Sequence, residues 1–201
     1  GNFGDVYAGY LAKKMGLPIN KLIVATNQND ILHRAISKGN YEAEKVTETI
    51  SPSMDIQIAS NFERLIYDLN NEDDGQTSID MKNIKEKSKY TIDEEKLNKI
   101  SENFLSARMS ENETLEIISS VYEKFNVVLD PHTAIRYGAF DKHDLDGSNI
   151  VLGTAHPCKF PDAIYKAIQI KSDLPSDIKF ILDEKENFNI IENDIQKVKQ
   201  Y

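Results

Sequence analysis

Four consecutive apolar residues, Leu22-Ile23-Val24-Ala25, set between Lys21 and Thr26, narrow the fold more than any other stretch of the chain. A strand with one wet face alternates apolar and polar side chains. A short run apolar on both faces reads instead as a strand covered on both sides, the condition of a parallel sheet between helix layers. The flanking residues fit that role. Over residues 5 to 15, Val6, Tyr7, Tyr10, Leu11 and Met15 fall on one helical face, and Gly16 and Pro18 then stop the helix. After the strand, Asn29 and Asp30 can cap a second helix that carries Ile31, Leu32, Ala35 and Ile36 as far as Gly39. The class expected is therefore α/β, a three-layer, open, mostly parallel sheet with flanking helices.

Further along, Pro52 forbids a continuing helix before it, and Ser53 or Asp55 can cap a helix whose core face is Ile58, Phe62, Leu65, Ile66 and Leu69. The polar stretch from Asn70 to Lys89 reads as a surface excursion or the start of an inserted lobe. Two capping boxes follow, Thr91 with Glu94 and Ser110 with Glu113. These features divide the chain into 1–75, the first part of an α/β domain, 76–125, a small inserted helical subdomain, and 126–201, the return to the α/β domain with a helical tail. Within the last part, Val127-Val128-Leu129 and residues 149 to 154 are predicted as strands, with a helix between them capped by Asp130 or Thr133. Pro161 opens another helix at a position where proline is tolerated.

With 201 residues, 40% of them hydrophobic, the chain can bury the core of one full domain or of a domain plus an appendage. The net charge of -9 argues against nucleic acid or an anionic membrane as partner, since both polyanions reward clusters of Lys and Arg. A single cysteine, Cys158, excludes an intramolecular disulfide and fits a reducing compartment. No apolar run approaches the ~20 residues of a membrane span, and no signal-peptide pattern opens the chain.

Chemistry is suggested first by Gly1-Asn2-Phe3-Gly4-Asp5. Two glycines around a short run let backbone amides approach a ligand closely, and the helix that opens behind them adds unpaired N–H groups and a positive dipole end. That is a phosphate cradle, although Gly-x-x-Gly turns also occur where nothing binds. Thr154, at the end of the last predicted strand, either meets a ligand or caps the segment after it. His156 and Cys158 lack the second ligand pair of a zinc site, and the run from Asp141 to Asp146 misplaces the glycine and final Glu of a calcium loop, so no metal is expected. His132 can line a site or serve as a structural histidine near a helix cap.

Four segments, GNFGDVYAGYLAKKMGLPINKLIVATNQND, SPSMDIQIASNFERL, LDPHTAIRYG and LGTAHPCKFPDA, taken in that order, resemble the C-terminal half of threonine synthase, a pyridoxal phosphate (PLP) enzyme of fold type II. The resemblance spans Gly1 to about Ala167. It implies that Gly1, Asn2, Phe3, Gly4 and Asp5 hold the cofactor phosphate and that Thr154 hydrogen-bonds the pyridine nitrogen, which a neutral hydroxyl keeps unprotonated. The family commonly has Asn where this chain has Asp5. A carboxylate would repel phosphate, so Asp5 is expected to offer its backbone N–H and to aim its side chain at a neighbouring amide or the helix cap.

The resemblance further implies a longer protein, cytoplasmic and capable of forming an oligomer, whose upstream half carries the Schiff-base lysine. Lys159 then reads as a surface or structural residue, with no catalytic residue in this segment and no turnover by it alone. The partners implied are the missing N-terminal half of the same enzyme and the substrate O-phospho-L-homoserine, converted with water to L-threonine and phosphate. Two alternatives remain at this point: a fold type II PLP lyase of the serine/threonine dehydratase kind, and a non-catalytic phosphate-binding module. The SPSMDI and DPHTA segments speak for threonine synthase.

Overall fold

In the computed structural model, which describes residues 2–201, helix α1 (Gly4–Lys14) runs into strand β1 (Leu22–Thr26) as expected. Helix α2 (Ile31–Lys38) then ends at Gly39, whose φ of 69° is the left-handed cap that glycine accepts most readily. Strand β2 (Asn40–Glu42) leads through a 3-10 turn at Pro52–Met54 to α3 (Phe62–Leu69) and α4 (Asp74–Lys87). Strand β3 (Lys89–Thr91), α5 (Glu94–Asn103) and β4 (Phe104–Arg108) follow, then the packed helices α6 (Glu111–Phe125), α7 (Pro131–Asp141) and α8 (Pro161–Ile168). The short helix α9 (Ile195–Gln200) lies in the tail.

Strand β1 pairs in parallel with β4, with Leu22 opposite Phe104 and Thr26 opposite Arg108, while β2 and β3 form a separate antiparallel pair. The parallel pair is covered on both faces, which is why its residues are apolar without alternation. Leu22 and Val24 face a large cluster with Phe3, Tyr7, Leu32, Phe62 and Phe104. Ala25 points the other way, against Met54, Met109 and Ile135. Helix α7 sits close on this second side because Gly138 has no side chain: a Cβ there would fall 2.4 Å from the Met109 methyl. The α/β class with helices flanking a parallel sheet holds.

Several local expectations are corrected. Neither Val127–Leu129 nor residues 149 to 154 form strands. After Asn126 closes α6 in a left-handed conformation, three residues must turn the chain into Asp130, the cap of α7, and Val128 and Leu129 simply pack against Ile118, Ala134 and Ile164. Around Thr154, Ile150 is 86% exposed, and no strand among the described residues pairs with this stretch. The helix expected from residue 55 begins only at Phe62; Ile58 lies exposed, and Asp55 is recruited into a polar network instead of capping. Asp93 caps α5 in place of Thr91, which belongs to β3, whereas the Ser110/Glu113 capping box forms as read. The polar excursion at residues 70–89 contains α4, and the segment 76–125, read as helical, also supplies β3 and β4, with Phe104 buried in a strand. On α1, Leu11 and Met15 lie at the surface.

Candidate functional site

Helix α1 starts without a side-chain cap. The Tyr7 amide bonds the Phe3 carbonyl at 3.0 Å, so the amides of Gly4, Asp5 and Val6, in the first turn ahead of it, have no helical acceptor and are available to an anion. Phe3 holds the turn in shape. Its backbone is left-handed, at φ 69° and ψ -1°, an uncommon state for a non-glycine residue, and the following Gly4 is right-handed helical. Left- and right-handed residues in succession turn consecutive N–H groups into a concave, anion-binding nest. The cost of this conformation is offset by the Phe3 ring, which is 3% exposed and meets Phe62 edge-on at 5.2 Å and Phe104 at 5.8 Å. Asn2 donates from Nδ2 to Ser60 Oγ at 2.8 Å, and a Cβ on Gly4 would press on Asn61 at 3.3 Å. Gly1, the first residue of the expected cradle, lies outside the described residues.

Thr154 comes to the same side of the molecule through one residue that sequence reasoning missed. Arg136 of α7 donates from Nη1 to Thr154 Oγ1 at 2.7 Å and to the Leu152 carbonyl at 2.9 Å. Its other nitrogen, Nη2, donates to Asp5 Oδ2 at 3.2 Å. The Asp5 carboxylate, expected on an amide or the helix cap, is thus paired with a guanidinium. That outcome follows from charge: a carboxylate beside an anion site is tolerable when a cation neutralises it. Nothing local in the sequence marked Arg136; it lies one helical turn beyond Thr133, whose hydroxyl would be 3.6 Å from a Cβ on Gly153 in the same loop as Thr154.

Beneath these contacts lies a fixed polar floor. Asp130 caps α7 with Oδ1, accepting the amides of His132 and Thr133, and also takes the Thr133 hydroxyl. Burial alone would raise the Asp130 carboxyl, but the hydrogen bonds from His132 and Thr133 outweigh it and hold the group below its ordinary value. His132 is buried, with Nδ1 on Asp130 at 3.0 Å and Nε2 accepting the Ser53 amide at 3.3 Å, so the ring proton lies on Nδ1. This is the structural role for His132. At the carboxyl end of β1, Asp55 accepts from Asn27 Nδ2 at 2.7 Å, Asn29 Nδ2 at 2.9 Å and both the hydroxyl and amide of Thr49. Thr26 Oγ1, at the same strand end, is buried without a partner among the described residues.

The four segments picked out in the sequence therefore touch one another. The opening loop meets Ser60, Asn61 and Phe62; the residues after β1 meet Thr49 to Asp55; His132 meets Ser53; and Arg136 joins Asp5 to Thr154. An open groove of about 470 Å³ beside the loop, lined by Tyr7, Ser60, Asn61, Arg64 and Thr77, does not include Asp5, Arg136 or Thr154. His156 caps a 3-10 turn by accepting the Cys158 amide, and Lys159 lies in that turn. Among the described residues no cluster of three His, Cys, Asp or Glu side chains could hold a metal. No helix among them is long and apolar enough to cross a membrane.

Comparison with known proteins places this arrangement. Residues 133–201 match the family model "Threonine synthase, C-terminal". The whole chain aligns with threonine synthase of Pseudomonas aeruginosa at 39% identity, and 99% of it with that of Saccharomyces cerevisiae at 41%, in each case over 44% of the relative. The PLP-bound threonine synthase of Brucella melitensis superimposes on the whole chain with a TM-score of 0.89 at 42% identity, over 44% of that structure. Over its whole length the chain is similar to the C-terminal portion of these threonine synthases. It spans less than half the length of the relatives it matches. Threonine synthases therefore carry the same α/β frame, and the segments that drew attention in the sequence are the ones this frame assembles.

Proposed function

We propose that the chain is the part of a PLP-dependent threonine synthase that grips the two ends of the cofactor, in an enzyme converting O-phospho-L-homoserine and water to L-threonine and phosphate. The observation that carries this reading is the meeting of Asp5 and Thr154, from opposite ends of the matched sequence, on the single guanidinium of Arg136. The donor set suits the group. Open amides at Gly4, Asp5 and Val6 favour a phosphate, with Asn2 beside them in the loop around Phe3. At the other end, Thr154 Oγ1 already accepts a hydrogen bond from Arg136 Nη1, so its own hydroxyl proton is left to donate. A donor at that place calls for an unprotonated acceptor, which the free pyridine nitrogen is.

PLP supplies an electron sink that stabilises carbanions during loss of the γ-phosphate and addition of water. The residues of this chain position and do not react: amides bind the phosphate, Thr154 orients the ring, and the Asp130–His132–Ser53 contacts keep α7 in place beneath them. The lysine that anchors the cofactor lies outside this segment in this reading, and Lys159 takes no part. The same reading makes the N-terminal half of the enzyme the partner that completes the site, in a cytoplasmic protein whose family implies a capacity to oligomerise.

The test adds PLP to the isolated chain and to the full-length protein. A cofactor absorbance band that borohydride removes is expected in the full-length protein alone. A stoichiometric band on the isolated chain would place the anchoring lysine here and overturn the assignment.

A further inference from the structure

Arg136 does more than neutralise Asp5. We infer that Arg136 is a positioning residue, its guanidinium setting the direction of the Thr154 hydroxyl and tying the ring end of the site to the phosphate loop. This inference rests on the PLP reading above. A threonine hydroxyl on a surface loop turns freely, and its proton points wherever the local acceptor lies. Here Nη1 occupies the acceptor side of Thr154 Oγ1 at 2.7 Å and also holds the loop itself through the Leu152 carbonyl at 2.9 Å. The segment has little else to fix it. Ile150 is almost fully exposed, Leu152 is half exposed, and no strand among the described residues pairs with it.

Arg136 is suited to that task because it is itself rigid. Its side chain is only 19% exposed, it rises from α7 nearly two turns beyond the buried Asp130 cap, and its second nitrogen is committed to Asp5. A planar fork bonded at both nitrogens loses less freedom on binding than a single-point cation would, and it fixes two groups at one spacing. The phosphate loop and the ring hydroxyl are thereby held at a set separation before any cofactor arrives. Such pre-organisation is expressed as affinity, because the ligand need not order the loop.

The experiment measures PLP dissociation in the full-length protein by absorbance and fluorescence, for Arg136→Gln, Thr154→Val and the double variant. Thr154→Val is expected to weaken PLP about tenfold, the value of about one hydrogen bond from a fixed donor, or 1.4 kcal/mol. Arg136→Gln is expected to weaken it by a similar factor and to move the fluorescence maximum of the bound cofactor in the same direction. The double variant should be no weaker than the poorer single variant, since both remove one oriented contact. Apoprotein melting temperatures should agree within experimental scatter, separating orientation from folding.

Three results would overturn the inference. If Arg136→Gln binds PLP like the parent while Thr154→Val does not, the hydroxyl needs no help. If the two losses multiply in the double variant, Arg136 acts elsewhere. A Thr154→Val variant with unchanged affinity would instead sink the ring contact itself, and the inference with it.

Discussion

The two ends of the proposed site are held by different forces. The opening loop is anchored by burial: the Phe3 ring fills the main core against Phe62 and Phe104, and its backbone takes a left-handed turn. The Thr154 loop is anchored by polar contact: its side chains lie open, and one guanidinium binds its carbonyl and its hydroxyl. Apolar burial is strong and indifferent to direction, so it suits a loop that must keep its shape. A charge-assisted hydrogen bond is weaker in net terms but directional, and suits a hydroxyl that must point one way.

That difference is broken most severely at Phe3. Phe3→Ala deletes a fully buried ring and leaves a cavity among aromatic neighbours, which costs about 3–5 kcal/mol in typical cores. Urea unfolding of the variant should show a loss in that range, and the loop should lose phosphate affinity along with it. A loss below about 1 kcal/mol, the size of a surface change, would mean that burial does not hold the loop.

Asp130 comes next. Asp130→Ala removes the cap of α7 and leaves the buried His132 Nδ1 and Thr133 hydroxyl without their acceptor. Caps are worth about 1 kcal/mol and unsatisfied buried donors about 1–3 kcal/mol. A loss of about 2–3 kcal/mol in denaturant unfolding is expected, with Ser53 freed from α7. Arg136→Gln, by contrast, should change stability by under about 1 kcal/mol, as partly exposed ion pairs do. If its unfolding midpoint falls as far as that of Phe3→Ala, the two ends are not held differently.

The same contrast explains what could be read from the chain. Burial leaves a pattern, so the core strand at 22 to 25, the helix that opens behind Gly4 and the helix faces of Leu32 or Ile66 were legible in residue order. Caps that act within a few residues, such as Ser110 with Glu113, were legible too. The Thr154 segment was misread as a strand because Ile150-Val151-Leu152 is apolar, and periodicity cannot tell an apolar run with a neighbouring strand from one without. Arg136 was missed for a related reason: its partners lie 131 and 18 residues away, at Asp5 and Thr154, and no local pattern announces a contact made only by the fold. Phe104 read as helical because its spacing from Ile100 fits a helix turn, whereas pairing with β1 decides its state.

The smallest effect sharpens the comparison at the far end of α7, the helix that carries Arg136. Lys142, just past its last turn, donates to Glu113 Oε1 at 2.7 Å, and Glu113 Oε2 also accepts from the amide and hydroxyl of Ser110. The Lys142 hydrogen bond, followed by those from Ser110, pulls the Glu113 carboxyl down to about 2. A carboxyl whose value is depressed by folding stabilises the fold above its unfolded value, near 4.3, and this contribution disappears as pH falls through the folded value. Glu113→Gln should therefore be slightly less stable than the parent at neutral pH, by under about 1 kcal/mol given the exposure of the pair. The gap should close between about pH 4 and pH 2. Comparing the two proteins at each pH matters, because Asp130 is depressed as well and loses its own contribution over the acid range in both. Urea midpoints recorded from pH 7 to pH 2 test the point: a gap that stays constant or widens on acidification would show that α7 is secured at its Asp130 end alone.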